Sequence, residues 1–284
     1  PSTQKSSLSD SAMSSKSSPA LKAAMIASVK EQFNVALREY QAAKSGGYSK
    51  DKNEGKILTA VAQAGRMLQA AEATFGSDDK DVATLRANFD VASTALKGEV
   101  KVASLRQTQP EMAKWLTQTA ARMNTEWEAL TPAEKKQKAQ FIENESGISY
   151  VATGDGVVHT KGYKAAHTTY MAEGYKGNVS QAGYMKLMRI NGELVLGIDD
   201  GSSQYARPGY SQDGTAERRA EAFLSRSGLK YVLPEIGVKK VVLFSGHALE
   251  AEEIGMGDLN QKAAGVIPVK AVAAASYEMT TAEV

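Results

Sequence analysis

The sequence predicts an α+β protein: an antiparallel helical bundle followed by a mainly antiparallel, glycine-punctuated β module with one or two helices. Two observations predict this class. Before residue 147, apolar side chains recur every three or four positions, which is the period of a helix buried on one face. From residue 148 onward, short β-branched and aromatic runs alternate with glycines, which favours strands joined by tight turns. The predicted organisation is a disordered serine-rich leader at 1–19, a helical bundle at 20–146 and an α+β domain at 147–284.

Three apolar stripes indicate the first three helices of the bundle. The first consists of Leu21, Met25, Val29, Phe33, Leu37 and Tyr40. The second consists of Ile57, Val61, Ala64, Leu68, Ala71 and Phe75. The third consists of Val82, Leu85, Phe89, Ala92 and Leu96, with a continuation to Leu105. Because glycines follow the first two stripes, the sequence predicts helices that end there and are joined by short loops, as in a bundle.

Two further helices are predicted from their start signals. Thr108 and Glu111 have the spacing of a capping box, in which the two residues satisfy each other's free backbone N–H groups. The segment 131–134 (Thr-Pro-Ala-Glu) has the same spacing and adds proline at the first helical position. We expect the helix that begins at Pro132 to end near Gly147.

Turn and helix signals divide the second half of the chain. The segments 154–156 (Gly-Asp-Gly) and 191–192 (Asn-Gly) predict hairpin turns, because glycine and asparagine tolerate the positive φ that such turns need. A helix is predicted over 213–228, capped at its start by Asp-Gly-Thr and ended by glycine. The run "KKVVLFS" at 239–245 predicts a buried strand, and the tail at 265–284 predicts one last strand or an extended arm.

The composition excludes several classes of protein. The chain has 34 basic and 32 acidic side chains and a formal charge of +2, so a nucleic-acid partner is not expected. It has no cysteine, which excludes a disulfide framework, a thiolate nucleophile and a cysteine-based zinc site. No apolar run approaches the roughly 20 residues needed to span a bilayer, so no transmembrane segment is expected.

The first 18 residues contain nine serines and one leucine, a composition typical of a disordered segment. They lack the hydrophobic centre of a cleaved signal peptide. We therefore expect the protein to be secreted without a cleaved signal peptide or to be part of a virion or other large assembly. Otherwise the expected location is the cytoplasm.

Few residues carry a recognisable chemistry. The chain contains three histidines, His159, His167 and His247. Their spacing is not that of metal ligands, so no metal site is predicted. Phosphate-binding loops and the serine-hydrolase elbow are absent from the sequence. Asp199 and Asp200 end a predicted strand and open the loop 201–209, but neighbours on a strand face opposite ways and are not expected to act on one substrate atom.

A series of short motifs runs in order from residue 167. They are His167-Thr168-Thr169, Gly174, Ala182-Gly183-Tyr184, Asn191-Gly192 and the loop Ser202-Ser203-Gln204-Tyr205-Ala206-Arg207-Pro208-Gly209, followed by the predicted helix. Over residues 148–232 this order resembles a domain of many bacterial toxin-like and effector-like proteins. In that domain an HSS-type triplet, an AGE step, an NG hairpin and an SGHYxPG loop precede a helix. Tyr184 stands in place of the glutamate of that pattern and Gln204 in place of its histidine, with one extra residue before the proline.

The resemblance supplies the candidate site. The candidate catalytic residues are His167 and Tyr205. The candidate binding residues are Thr168, Thr169, Tyr184, Asp199, Ser202, Ser203, Gln204 and Arg207. The retained features are turn glycines, a tyrosine and a proline, which a fold needs, whereas the two replaced positions are those suited to acid–base chemistry. We therefore expect the loop 201–209 to be first a structural corner, in which Gly201 has a positive φ.

Three functions are compatible with these observations. The first is a secreted bacterial effector or toxin-like protein whose C-terminal domain binds or modifies a host target, with a protein target or a secretion chaperone as partner. If that domain is an enzyme, we expect group transfer of the ADP-ribosyltransferase-like kind, and NAD is implied as cofactor only in that case. The second is a structural component of a virion or large assembly, and the third is a glycan- or protein-binding module.

Overall fold

The computed structural model describes residues 18–162, 167–174, 178–202, 205, 209–271 and 279. In these ranges, N-terminal helices are followed by a mostly antiparallel seven-stranded sheet, which confirms the predicted α+β class. None of the helices in these ranges combines the length and the apolar composition needed to cross a bilayer. The predicted leader lies outside the described residues as far as residue 17.

Long helices form the N-terminal part, as predicted. α1 spans Pro19–Gly46, a π-helical turn spans Lys50–Glu54, α2 spans Gly55–Phe75, α3 spans Lys80–Thr108, α4 spans Pro110–Glu128 and α5 spans Pro132–Lys138. The three predicted apolar stripes lie on α1, α2 and α3, and most of their members are buried against one another. Leu21 is an exception, since its position in the first turns of α1 leaves it 46% exposed.

The strands and the remaining helices follow. β1 spans Glu143–Asn144, β2 Ile148–Thr153, β3 Val158–Lys161, β4 Val179–Ile190, β5 Glu193–Asp199, β6 Lys240–Phe244 and β7 Ala263–Pro268. α6 spans Thr168–Ala172, α7 Ala216–Ser227, α8 Leu229–Val232 and α9 Met256–Lys262, and a 3₁₀ turn spans Ala248–Glu250. The strand order is β3-β2-β4-β5-β6-β7, and β1 also pairs with β4. All pairs are antiparallel except the parallel pair of β5 and β6.

The local signals in the second half are confirmed. Asn191 and Gly192 have φ values of 52° and 82° in the turn between β4 and β5, and Gly156 has a φ of 88° in the turn between β2 and β3. α7 is the helix predicted before Gly228, whose φ of 81° ends it. The predicted strands "KKVVLFS" and the start of the tail are β6 and β7.

The two predicted capping boxes have different outcomes. Thr108 is the last residue of α3 and its hydroxyl donates to the Ser104 carbonyl oxygen at 2.7 Å, so the box predicted there is wrong. α4 begins instead at Pro110, whose fixed φ suits the first helical position. The second box is confirmed, because the Thr131 hydroxyl accepts from the Glu134 N–H and the Glu134 carboxylate accepts from the Thr131 N–H.

The end of α5 differs from the prediction. The helix stops at Lys138 rather than near Gly147. β1 pairs with β4 shortly after it, and the Glu145 N–H donates to the Leu187 carbonyl oxygen of β4 at 3.2 Å. The backbone groups after residue 142 therefore belong to the sheet, which excludes a continued helix.

The apolar core is divided into two large clusters that meet along α3. One joins α1, α2 and the buried residues of α3 up to Val100, together with Met279. The other joins the end of α3 from Val102, the buried face of α4, one face of the sheet, α7 and α8. A smaller cluster covers the opposite face of the sheet. The change from helix to strand near residue 146 does not coincide with this division of the core, and the predicted domain boundaries stay a prediction.

The side chain of Arg189 on β4 links α4 to the sheet through hydrogen bonds and a cation–π contact. One guanidinium nitrogen donates to the Met123 carbonyl oxygen and to Asn124 Oδ1, each at 3.0 Å. The guanidinium carbon lies 4.8 Å from the centroid of the Trp127 ring, within the range of a cation–π contact. The other terminal nitrogen donates to the Gly192 carbonyl oxygen at 3.1 Å, so the same side chain also fixes the β4–β5 turn.

Candidate functional site

Several predicted site residues meet where β4 and β5 approach α6. His167 immediately precedes α6, Tyr184 lies on β4, Asp199 is the last residue of β5, and Ser202 follows in the next loop. The ring centroids of Tyr184 and Tyr205 lie 5.3 Å and 6.3 Å from that of His167. The fold therefore brings together five of the residues that were predicted from a pattern spread along the chain.

The imidazole of His167 uses both of its nitrogens. Nε2 lies 3.0 Å from the Gly183 carbonyl oxygen, which can only accept, so Nε2 carries the proton. Nδ1 lies 2.9 Å from Ser202 Oγ and accepts the hydrogen bond from that hydroxyl. Burial lowers the pKa of His167, against a smaller opposing effect of the Gly183 hydrogen bond. The ring is thus held neutral in one tautomer.

The side chain of Asp199 accepts hydrogen bonds from three backbone N–H groups near His167 and Ser202. One carboxylate oxygen accepts from the Tyr184 N–H at 2.8 Å and the Gly201 N–H at 3.4 Å, and the other accepts from the Leu249 N–H at 3.1 Å. Burial raises the pKa of Asp199 to about 8, while these three donors favour the charged form. The carboxylate joins β4, the loop after β5 and the 3₁₀ turn.

A second buried network lies beside Asp199 and was missed by sequence reasoning. Asp200 forms an ion pair with Arg219 of α7. The Gln181 amide donates to the hydroxyls of Tyr150 at 2.8 Å and Tyr210 at 2.7 Å. The polar Gln181 on β4 was the one local signal, but its partners are far away in sequence. Asp200 therefore faces different partners from Asp199, as expected for neighbours at a strand end.

Gly201 has no positive φ, so the predicted reason for glycine at this position is wrong. A Cβ built on Gly201 would lie 2.6 Å from the carbonyl carbon of Gly246. Gly183 is similar, because a Cβ there would lie 2.8 Å from the carbonyl carbon of Asp199. Close approach between backbone segments requires glycine at both positions.

The other candidates are placed as follows. Ser203, Gln204 and Arg207 lie outside the described residues, as does the side chain of Thr168. Thr169 is exposed on α6. The Tyr205 hydroxyl is buried and has no hydrogen-bond partner within the described ranges. Also within these ranges, no three histidine, aspartate or glutamate side chains lie close enough together to hold a metal ion.

Comparison of the chain with protein-family models, with curated proteins and with solved structures finds no match. The resemblance to the toxin-like domain and the roles assigned to its residues stay predictions.

A groove on another part of the surface was not predicted. It has a volume of about 750 Å³ and lies between the segments 140–146 and 252–256. Phe141 on one side is 65% exposed and Met256 on the other is 38% exposed. Ile254 lines it as a buried side chain and Ile142 as a partly buried one. Apolar side chains thus line both sides of an open groove.

Hydrogen bonds hold both sides of the groove in place. The Asn144 amide donates to the Ile254 carbonyl oxygen at 3.1 Å and accepts from the Ile254 N–H at 3.0 Å. Lys186, which is fully buried on β4, donates to the carbonyl oxygens of Ala251 at 2.6 Å and Glu252 at 2.9 Å. These hydrogen bonds therefore fix the two segments that line the groove.

Proposed function

We propose that the protein is a target-binding protein of the effector type, whose C-terminal α+β module binds a segment of a target protein in the groove at 140–146 and 252–256. The observation that carries this proposal is the 65% exposure of Phe141 beside a groove whose two sides are fixed by hydrogen bonds. Aromatic side chains on a preformed surface are favoured anchors of protein interfaces. Exposed apolar groups that rim a cavity commonly mark interaction sites.

The contacts of His167, Ser202 and Asp199 favour a structural role for these residues, and hence a binding function of the protein rather than catalysis. His167 and Ser202 are 2% and 4% exposed, and Asp199 is fully buried. Their polar atoms are engaged with one another and with backbone groups. Such an arrangement stabilises the corner between β4, β5 and α6.

A peptide-display selection against the full chain tests the proposal. Selected peptides are measured against the parent protein, Phe141→Ala and the control Val266→Ala, which removes a side chain that is 49% exposed on β7. We expect Phe141→Ala to weaken binding at least tenfold, about 1.4 kcal/mol, and Val266→Ala to leave it unchanged. Failure to select peptides, or peptides indifferent to Phe141, would contradict the proposal.

Group transfer at Ser202 is the second candidate function, favoured by the hydrogen bond from its hydroxyl to a neutral imidazole. In such a step the Ser202 oxygen bonds to the transferred group, His167 takes the hydroxyl proton, and the leaving group departs with that proton. NAD is implied as the donor only for an ADP-ribosyltransferase-like reaction.

Labelling with a fluorophosphonate and turnover of NAD test this candidate, with Ser202→Ala compared with Ser149→Ala. Ser149 is another buried serine, and its hydroxyl is hydrogen-bonded to that of Tyr170. Labelling or turnover lost only in Ser202→Ala would support group transfer. Equal results for the two folded variants would contradict it.

A further inference from the structure

The charge of the groove indicates what it binds, if the proposed function is correct. Three glutamates, Glu145, Glu252 and Glu253, line it, and its described lining includes no lysine, arginine or histidine. Glu145 is engaged by the Arg122 guanidinium. Glu252 and Glu253 are exposed on the opposite side. We infer that the groove accepts a short segment of a partner protein in which a large apolar side chain is flanked by lysine or arginine.

The position of Glu252 and Glu253 is fixed from below by Lys186. Its ammonium group donates to the backbone of Ala251 and Glu252 and lies beneath the surface. The lysine therefore holds the segment through carbonyl oxygens, and its charge also attracts the carboxylates of Glu252 and Glu253, which are exposed at the rim. A rim of this kind favours cations on the partner and repels acidic segments.

The apolar part of the groove fits the anchor of such a segment. Phe141 and Met256 lie on opposite sides, and the buried Ile254 belongs to the same lining as Met256. Methionine adapts to different apolar shapes, and the face of Phe141 also attracts a flanking cation. A volume of about 750 Å³ is that of a small-ligand pocket, so it takes a few side chains rather than the face of a globular domain.

Three labelled synthetic peptides test the inference on the full chain by fluorescence anisotropy. The first carries an apolar Leu-Phe pair flanked by lysine and arginine, the second has glutamate at every basic position, and the third keeps the basic residues but replaces the pair by serines. We expect the first to bind at least tenfold more tightly than either of the others. Its affinity is expected to fall as salt is raised.

Paired variants separate the rim charges from general charge effects. The double change Glu252→Gln and Glu253→Gln is expected to weaken the first peptide about fivefold and to reduce its salt dependence. The matched control is Glu111→Gln with Glu221→Gln, two exposed glutamates on α4 and α7, and it is expected to bind like the parent. Equal weakening in both double variants would overturn the inference.

Two further outcomes distinguish this inference from the proposed function. If displayed peptides depend on Phe141 but are neutral or acidic, the proposed function stands and the inference fails. The chain's own residues 1–17 include Lys5, Met13 and Lys16. If their removal raises the affinity of the basic peptide at least tenfold, this segment occupies the groove, and the inference that a partner protein occupies it fails.

Discussion

Ser202 Oγ lies 2.9 Å from Nδ1 of His167, although 35 residues separate them in the sequence. This hydrogen bond joins the loop after β5 to the start of α6. Because Nε2 donates to the Gly183 carbonyl oxygen, a residue predicted as catalytic is bonded at both nitrogens. The protonation state of His167 is therefore coupled to the stability of this corner.

We expect His167 to make the protein less stable at acidic pH. Its pKa is lowered in the fold by burial, so the unfolded chain binds more protons than the folded chain between the folded pKa and the ordinary value near 6.5. The stability contributed by neutral His167 is present above pH 6.5 and is lost as the pH falls towards the folded pKa. His167→Gln should remove this share of the pH dependence.

Urea denaturation of the parent and His167→Gln at pH 7.5, 6.5 and 5.5 measures the effect. His159→Gln is measured for comparison, because burial also lowers the pKa of this half-buried histidine on β3 and its replacement should change the pH dependence in the same direction. The difference between parent and His167→Gln should shrink as the pH falls. A difference that stays constant with pH would contradict the expected neutral state.

Gly201→Ala is expected to lower the free energy of unfolding by about 1–3 kcal/mol, and Gly201→Val by more. The added Cβ would overlap the backbone of Gly246, and rotation of a side chain cannot relieve this contact. Gly162→Ala is the control, since among the described residues no heavy atom beyond the chain neighbours lies within 4 Å of a Cβ there, and its effect should be within about 0.5 kcal/mol. Thermal melts that do not separate the two alanine variants would disprove the close approach.

The division of the core predicts that α4 unfolds with the sheet. Both tryptophans of the chain lie on α4, so fluorescence reports on this helix while circular dichroism is dominated by the long helices. Leu196→Ala in the sheet and Leu68→Ala in α2 should each lower the free energy of unfolding of the apolar cluster to which the leucine belongs by about 2–5 kcal/mol. We expect the fluorescence midpoint in urea to shift in Leu196→Ala and to stay near the parent value in Leu68→Ala. A shift in Leu68→Ala alone would place α4 with the other helices.

Thr131→Ala is expected to cost about 1 kcal/mol in the local stability of α5, because it removes the acceptor for the Glu134 N–H. Pro132→Ala should cost little, since alanine is also accepted at the first helical position. α5 has no buried side chain, so amide hydrogen exchange over 132–138 is the suitable measurement. Equal exchange in the two variants would argue against the capping box.

Local sequence determined the elements that depend on neighbouring residues. The apolar stripes gave α1, α2 and α3 because their period matches one helix face, whatever that face packs against. Asn191 and Gly192 gave a hairpin because they tolerate the positive φ values that the turn requires. The pattern from His167 to Tyr205 named residues that do lie close together, although their roles stay predictions.

Tertiary structure decided the features that depend on distant partners. The apolar face of α4 could have packed on other helices or on a sheet, and the contacts of Arg189 and of the second apolar cluster place it on the sheet. α5 ends early because β4 binds the following backbone, and Gly201 is needed because Gly246 lies against it. The groove beside Phe141 is made by two segments more than 100 residues apart in sequence, tied together by Asn144 and Ile254. A single chain segment carries no information about which distant segment will contact it, so its own sequence could not predict these contacts.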